Sequence, residues 1–195
     1  MEEPGTGAEA RSPALEVELA RLRRGVRLWL GLFIVGLVLS GLTAFPLLWE
    51  LRKVTALLGL PPDASPGSYH GLSEWLLRVR EGLEVTHARF PFIAYGTDWL
   101  AFGHVVIALF FIAPWREPGR HLSVIRTGML ACVLVVPLAL ICGAVRDVPL
   151  PWRLLDCSFG VVAGIPLWIA LRKANDLRRI EGGAHLQADN VSHEW

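Results

Sequence analysis

YGTDWLAFGHVVIALFFIAPW, residues 95–115, decides the fold of this chain. Between Asp98 and Arg116 lie 17 residues without a charge, near the lower limit for a helix that crosses a hydrocarbon core. Trp99 and Trp115 stand at the two ends, where interfacial aromatics belong. Yet the stretch opens with Asp98 and holds His104 in its interior. Ionisable groups at membrane depth are expensive and face protein or a functional cavity.

Three more apolar blocks share this character. No charge falls between Arg27 and Glu50, which leaves 22 residues, enough at ~1.5 Å each to cross roughly 30 Å of hydrocarbon. Small residues Gly31, Gly36, Ser40 and Gly41 offer surfaces for close helix approach, and Pro46 is expected to bend the last turn. A third block lies between Arg126 and Arg146 with Pro137 inside it. The fourth runs from about Leu154 to Leu171, with a Gly160-x-x-x-Gly164 step and Pro166. The chain has 195 residues, 53% of them hydrophobic, gathered in these long blocks rather than in short periodic runs, which is the membrane signature. The first block begins only after a charged leader and is longer than a signal h-region, so it reads as a retained signal anchor.

The expected fold is all-α: a four-helix transmembrane bundle, an amphipathic helical cap on the extracytoplasmic side and an N-terminal cytoplasmic helix. The division is 1–27 as cytoplasmic leader and helix, 28–172 as membrane domain and 173–195 as a cytoplasmic tail without further pattern. The spans are placed at about 28–49, 96–115, 125–145 and 153–171, with the outer cap at 50–94. Ser12-Pro13 followed by Glu16 is a helix start, and Leu15, Leu19, Leu22 and Val26 recur at helical spacing beyond it. That segment reads as an amphipathic helix on an anionic leaflet, as an extension of the first span, or as a coiled-coil contact between subunits. In the cap, Glu50 to Leu60 forms a helix ending at Gly59. Ser73 caps a second helix with Trp75, Leu76, Val79 and Leu83 on its apolar face. Twelve Lys and Arg fall with the termini and the 116–126 region, against seven with the cap and the 146–153 hairpin. Both termini are therefore expected in the cytoplasm, with the 50–94 cap and the 146–153 hairpin outside.

This orientation gathers Glu50, Tyr95, Asp98, Arg146, Trp152, Arg153 and Asp156 at the outer rim. Asp156, about one turn into its span, needs a partner, and Arg153 three residues earlier shares its face. The cluster reads either as a polar pocket for a head group or small anion, or as ion pairs that fix helix packing. His104 lies six residues past Asp98 and about 120° round the helix, so Asp98 is not its obvious partner. A quinone donor, a proton relay, an axial metal ligand, or an interhelical hydrogen bond to Ser40, Thr43 or a backbone carbonyl are its readings. A haem held by two histidines is disfavoured, because no second His falls within a span. Cys142 and Cys157 flank the hairpin at similar distances, which makes a disulfide conceivable. A net charge of +1 points away from a nucleic-acid partner, which would need clustered excess base. Hydrolase, Walker, dinucleotide and zinc-protease motifs are absent.

YGTDWLAFGHVVIALFFIAPWREPGR (95–120), with GLVLSGLTAFPLLWEL (36–51), VVPLALICGAVRDVPLPWRLLDCSFG (135–160) and IPLW (165–168), resembles a family of bacterial four-span membrane proteins without an established activity. The resemblance covers roughly residues 28–172; it implies the topology and the inner membrane of a bacterium, and adds no catalytic residues. The expected function is a non-catalytic accessory or scaffold subunit, or a binder of a lipid-like ligand at the outer leaflet. The rival is a membrane enzyme or redox protein acting on a quinone or lipid head group through His104 and the Asp98, Asp156 and Arg cluster. Membrane lipids, a protein partner or a second copy of the chain are the expected partners; no cofactor follows from the residues.

Overall fold

A computed structural model describes residues 12–192, and side chains through 183. Among them no strand occurs, and four helices are long and apolar enough to cross a membrane. The elements are α1 (Pro13–Ala44), α2 (Leu47–Leu57), α3 (Gly71–Arg89), α4 (Tyr95–Phe110), α5 (Ile112–Arg116), α6 (Leu122–Val145) and α7 (Leu150–Ser192).

Ser12 starts α1 as expected: the Leu15 amide donates to its carbonyl at 2.9 Å and to its hydroxyl at 3.4 Å. The leader and the first span are one unbroken helix, because nothing between Arg27 and Leu28 breaks the hydrogen-bond ladder. Of the readings offered for the leader, this is the extension of the first span. The expected end of that span moves. Pro46 does not merely bend the last turn; α1 stops at Ala44, and Leu47 to Trp49 open α2. A residue before proline disfavours the helical region, which ends the helix there. Proline also divides the second span. Pro114 lacks the amide that would bond to the Phe110 carbonyl, and the helix breaks at Phe111 into α4 and α5.

Tertiary contacts divide the chain into two compact units. The first comprises residues up to Phe33, Phe111–Val136 and residues from Ser158 onward; the second comprises Ile34–Phe110 and Pro137–Cys157. In the first unit α1 lies along α7. Leu19 and Leu22 bury against Leu177, flanked by Leu15 and Ile180. Val26 and Leu30 are fully buried, as are Leu167, Ala170 and Ala174. Arg23 pairs with Glu181 at 2.6 Å. The tail is thus not patternless: α7 continues to Ser192, and its residues past 171 carry the apolar face that the leader needs. The leader's leucines find their partner within the same chain. Phe33 and Phe111 meet edge to face at 4.7 Å.

The Gly160-x-x-x-Gly164 step brings α7 against α6. A Cβ on Gly160 would lie 2.5 Å from the Cys132 carbonyl oxygen, whereas one on Gly164 would sit at an ordinary 3.8 Å from the Cys132 Cβ. In the second unit α1 meets α4 in the same way: a Cβ on Gly41 would lie 2.8 Å from the Ala101 carbonyl oxygen.

The 50–94 segment is built on Arg80, buried to 5% exposure. Its guanidinium donates to the carbonyls of Pro61 (3.3 Å), Pro62 (3.0 Å) and Ala64 (3.0 Å) and to the Thr55 hydroxyl (3.4 Å). One charged group thereby ties α3 to the end of α2 and to the proline loop that follows. Gly59, at φ +72°, ends α2 as expected, with Leu60 N bonded to Thr55 O and Gly59 N to Ala56 O, and Leu60 buried beneath. The second helix begins at Gly71 rather than after Ser73. Gly71 takes φ +64°, which turns the extended His70 directly into the helix and leaves Ser73 inside its first turn. The α6–α7 turn repeats the C-terminal motif with Asp147 in the left-handed position, φ 54°: Val148 N bonds to Gly143 O and Asp147 N to Ala144 O.

Two outcomes follow from these contacts. Gly160→Ala forces α6 and α7 apart and is expected to cost about 1–3 kcal/mol in detergent thermal unfolding, while Gly164→Ala leaves the transition where it is. Arg80→Met strands the loop carbonyls and should cost about 3 kcal/mol, read as faster proteolysis of residues 58–70; Arg80→Lys does not rescue it, because an ammonium cannot span the fork.

Candidate functional site

The residues expected at the outer rim all belong to the second unit, but the expected network does not form. Arg153 does not pair with Asp156. Its stem lies on Gly143, where an added Cβ would be 2.6 Å from its Cγ and Cδ, and its Nη1 donates to the Leu140 carbonyl at 3.4 Å. The absence of a side chain at Gly143 gives the arginine room to cross to α6 instead of turning up its own helix. Asp156 is half-buried on α7 and Asp98 half-buried on α4. Arg146 is exposed beside the α6–α7 turn, and Glu50 is half-buried in the first turn of α2. Among the described residues, no hydrogen bond or ion pair joins any of these groups to another.

Aromatic contacts do bring two of the expected residues to defined places. Trp152 on α7 stands 6.5 Å from Trp75 on α3, ring centre to ring centre. Tyr95, Trp99 and Phe102 form an exposed ladder along α4, each ring edge to face with the next at 6.0 Å. Such a ladder suits the membrane–water boundary, where aromatic rings keep one edge wet. Two buried donors beside Trp152 have no partner: the Trp75 indole Nε1 and the Arg153 Nε. Buried donors of this kind ordinarily find an acceptor.

His104 is half-buried on α4, next to Gly41 of α1. Its Nδ1 donates to the Leu100 carbonyl of its own helix at 2.8 Å. The interhelical bond to Ser40 or Thr43 is not made: Ser40 is exposed, and Thr43 donates back to the Ser40 carbonyl at 3.1 Å. Proximity to α1 was legible in the small residue at 41; the local bond was not, since every residue four positions back offers a carbonyl. With Nδ1 committed as donor, Nε2 is left as an acceptor. No disulfide joins Cys142 and Cys157; the first is on the exposed face of α6 and the second half-buried on α7. Among the described residues, no three His, Cys, Asp or Glu side chains gather in a way that could hold a metal ion.

A cleft lies in the first unit, and its arginines were not among the expected site residues. It has a volume of about 440 Å³ and is lined by Arg23, Arg27, Arg116 and Arg120 with Glu117 and Glu181. The signal for it was present as basic residues on both α1 and the 116–121 turn, but they served only to set the orientation.

Asp156→Asn removes a half-buried charge that has no hydrogen-bond or ion-pair partner among the described residues, so thermal stability in detergent is expected to hold or rise; a clear fall would mean the carboxylate is held by a further group. No family model, curated protein or solved structure matches this chain.

Proposed function

We propose that the chain is a non-catalytic integral membrane protein, an accessory or scaffold subunit whose helices meet lipid and other protein. The observation that carries this reading is the broad apolar surface the helices leave uncovered. Leu28, Leu32, Val35, Leu39 and Leu42 recur at three- and four-residue spacing along one face of α1, all more than half exposed. Leu130, Val133, Leu134, Leu138 and Ile141 do the same on α6, and Phe159, Val162 and Ile165 on α7. In water such faces would drive association; lipid or a partner helix covers them at no such cost. With Lys and Arg concentrated near the termini and the α5–α6 turn, both termini lie in the cytoplasm and the α2–α3 segment caps the extracytoplasmic side. The membrane is the cytoplasmic membrane of a bacterium, as the family resemblance implies.

A lipid-like ligand at the outer rim is the second reading. What favours it is the pair of unpartnered donors, Trp75 Nε1 and Arg153 Nε, flanking Trp152. An ester or phosphate oxygen would satisfy either. The redox reading loses support from the geometry of His104, whose donor is spent on its own helix.

Purification of the wild type and His104→Ala from native membrane separates these readings. The accessory reading expects the same stoichiometric assembly by native mass spectrometry and the same background quinone in both. One quinone per chain, lost in His104→Ala, would reassign the protein to redox chemistry. Labelling of Ser65→Cys by a membrane-impermeant maleimide in intact cells checks the orientation; protection of that site inverts the topology.

A further inference from the structure

Two guanidinium charges in the first unit face one cleft without a carboxylate to balance them. Arg23 is paired with Glu181 at 2.6 Å and Arg120 with Glu117 at 3.3 Å, which accounts for both acids in the lining. Arg27 donates instead to two backbone carbonyls at the end of α5, Trp115 (3.3 Å) and Arg116 (3.1 Å). Those contacts place the guanidinium but leave its formal charge uncompensated. Arg116 has no carboxylate partner among the described residues. Like charges held around a cleft repel unless an anion sits between them. The arginine fork matches phosphate oxygens in pairs, and the volume of about 440 Å³ falls in the range of ligand pockets.

The cleft also sits where a lipid phosphate would be. Arg27 is followed at once by the exposed Leu28, 70% accessible, and the apolar stripe of α1 begins there. Arg116 follows Trp115, itself 40% exposed. One turn of α7 carries Trp168 with Arg172 stacked 3.8 Å over its ring. Trp and Arg side by side on α5 and α7, with Arg27 at the head of the apolar stripe of α1, mark the head-group level. We propose that this cleft binds the phosphate of an acidic phospholipid, with Arg27 and Arg116 supplying its two free charges and the exposed Leu28 and Leu32 receiving an acyl chain. The site is independent of the accessory-subunit reading and, on the topology proposed above, selects lipids of the cytoplasmic leaflet.

The test uses the full chain in detergent micelles, titrated with phosphatidylglycerol or phosphatidylcholine and read by native mass spectrometry. The wild type is expected to retain phosphatidylglycerol about tenfold better than phosphatidylcholine, the loss of one charge-assisted contact being worth that much. Arg116→Ala should remove the preference and leave the melting temperature unchanged, because its side chain makes no hydrogen bond or ion pair among the described residues. Arg116→Lys, which keeps the charge, should retain part of it. Arg89→Ala, on α3, serves as the control for bulk charge and should change nothing. Equal retention of the two lipids overturns the proposal, as does an equal loss in Arg116→Ala and Arg89→Ala. Displacement of the lipid by millimolar inorganic phosphate would make the occupant a soluble anion and overturns the lipid assignment. Should Arg116→Ala melt early, Arg27→Lys carries the test, since it keeps the charge but cannot form the fork: a full wild-type preference there overturns the proposal, and a reduced one supports it.

Discussion

Polar groups among apolar helices must find acceptors, and in this chain the acceptors are backbone carbonyls. Arg80 donates to three of them, Arg27 to two, Arg153 and His104 to one each. A carbonyl at a helix end or in a loop has no partner of its own, so an arginine that reaches it satisfies two needs at once. The 50–94 segment stands on this interaction at Arg80, and the approach of α1 to α5 stands on it at Arg27. Ion pairs play a smaller part. Apart from Arg23–Glu181 and Arg52–Glu84, the pairs between described residues join neighbours on the same stretch of chain.

Close helix contact has a second source in the glycines. Gly41 admits the Ala101 carbonyl and Gly160 the Cys132 carbonyl, each at a distance no side chain would allow. Backbones in such contact pack by dispersion over a wide surface, which is how helices associate where apolar burial offers no advantage. The larger side chains then turn outward. The exposed leucines and valines of α1, α6 and α7 are the consequence, and they set the environment in which the cleft arginines and the Trp75 and Trp152 rings operate.

The difference between the two polar regions is informative. Among Glu50, Asp98, Arg146, Arg153 and Asp156 of the second unit, acids and bases are close in the sequence yet do not pair, and Gly143 lets Arg153 cross to α6. In the cleft, residues far apart in the chain converge and leave a net positive charge. A cluster of opposite charges by spacing is therefore a weak guide to a site. A surplus of one sign around a shared space is a stronger one, since an anion placed between the charges relieves their repulsion.

The sequence alone determined the helical class, the four apolar segments, the helix start at Ser12 and the stop at Gly59, because periodicity, charge-free length and capping are local properties. It also marked Gly31, Gly36, Ser40 and Gly41 and the Gly160–Gly164 step as small-residue positions, of which Gly41 and Gly160 take the close contacts. It placed the leader's leucines on one face without their partner, and read the tail as patternless, because the match between Leu19 or Leu22 and Leu177 spans most of the chain. Tertiary structure alone decided that Arg80 and Arg27 would reach carbonyls in the proline loop and at the end of α5. Every residue carries a carbonyl, so no pattern of side chains can single out the one left open; only the path of the backbone does that.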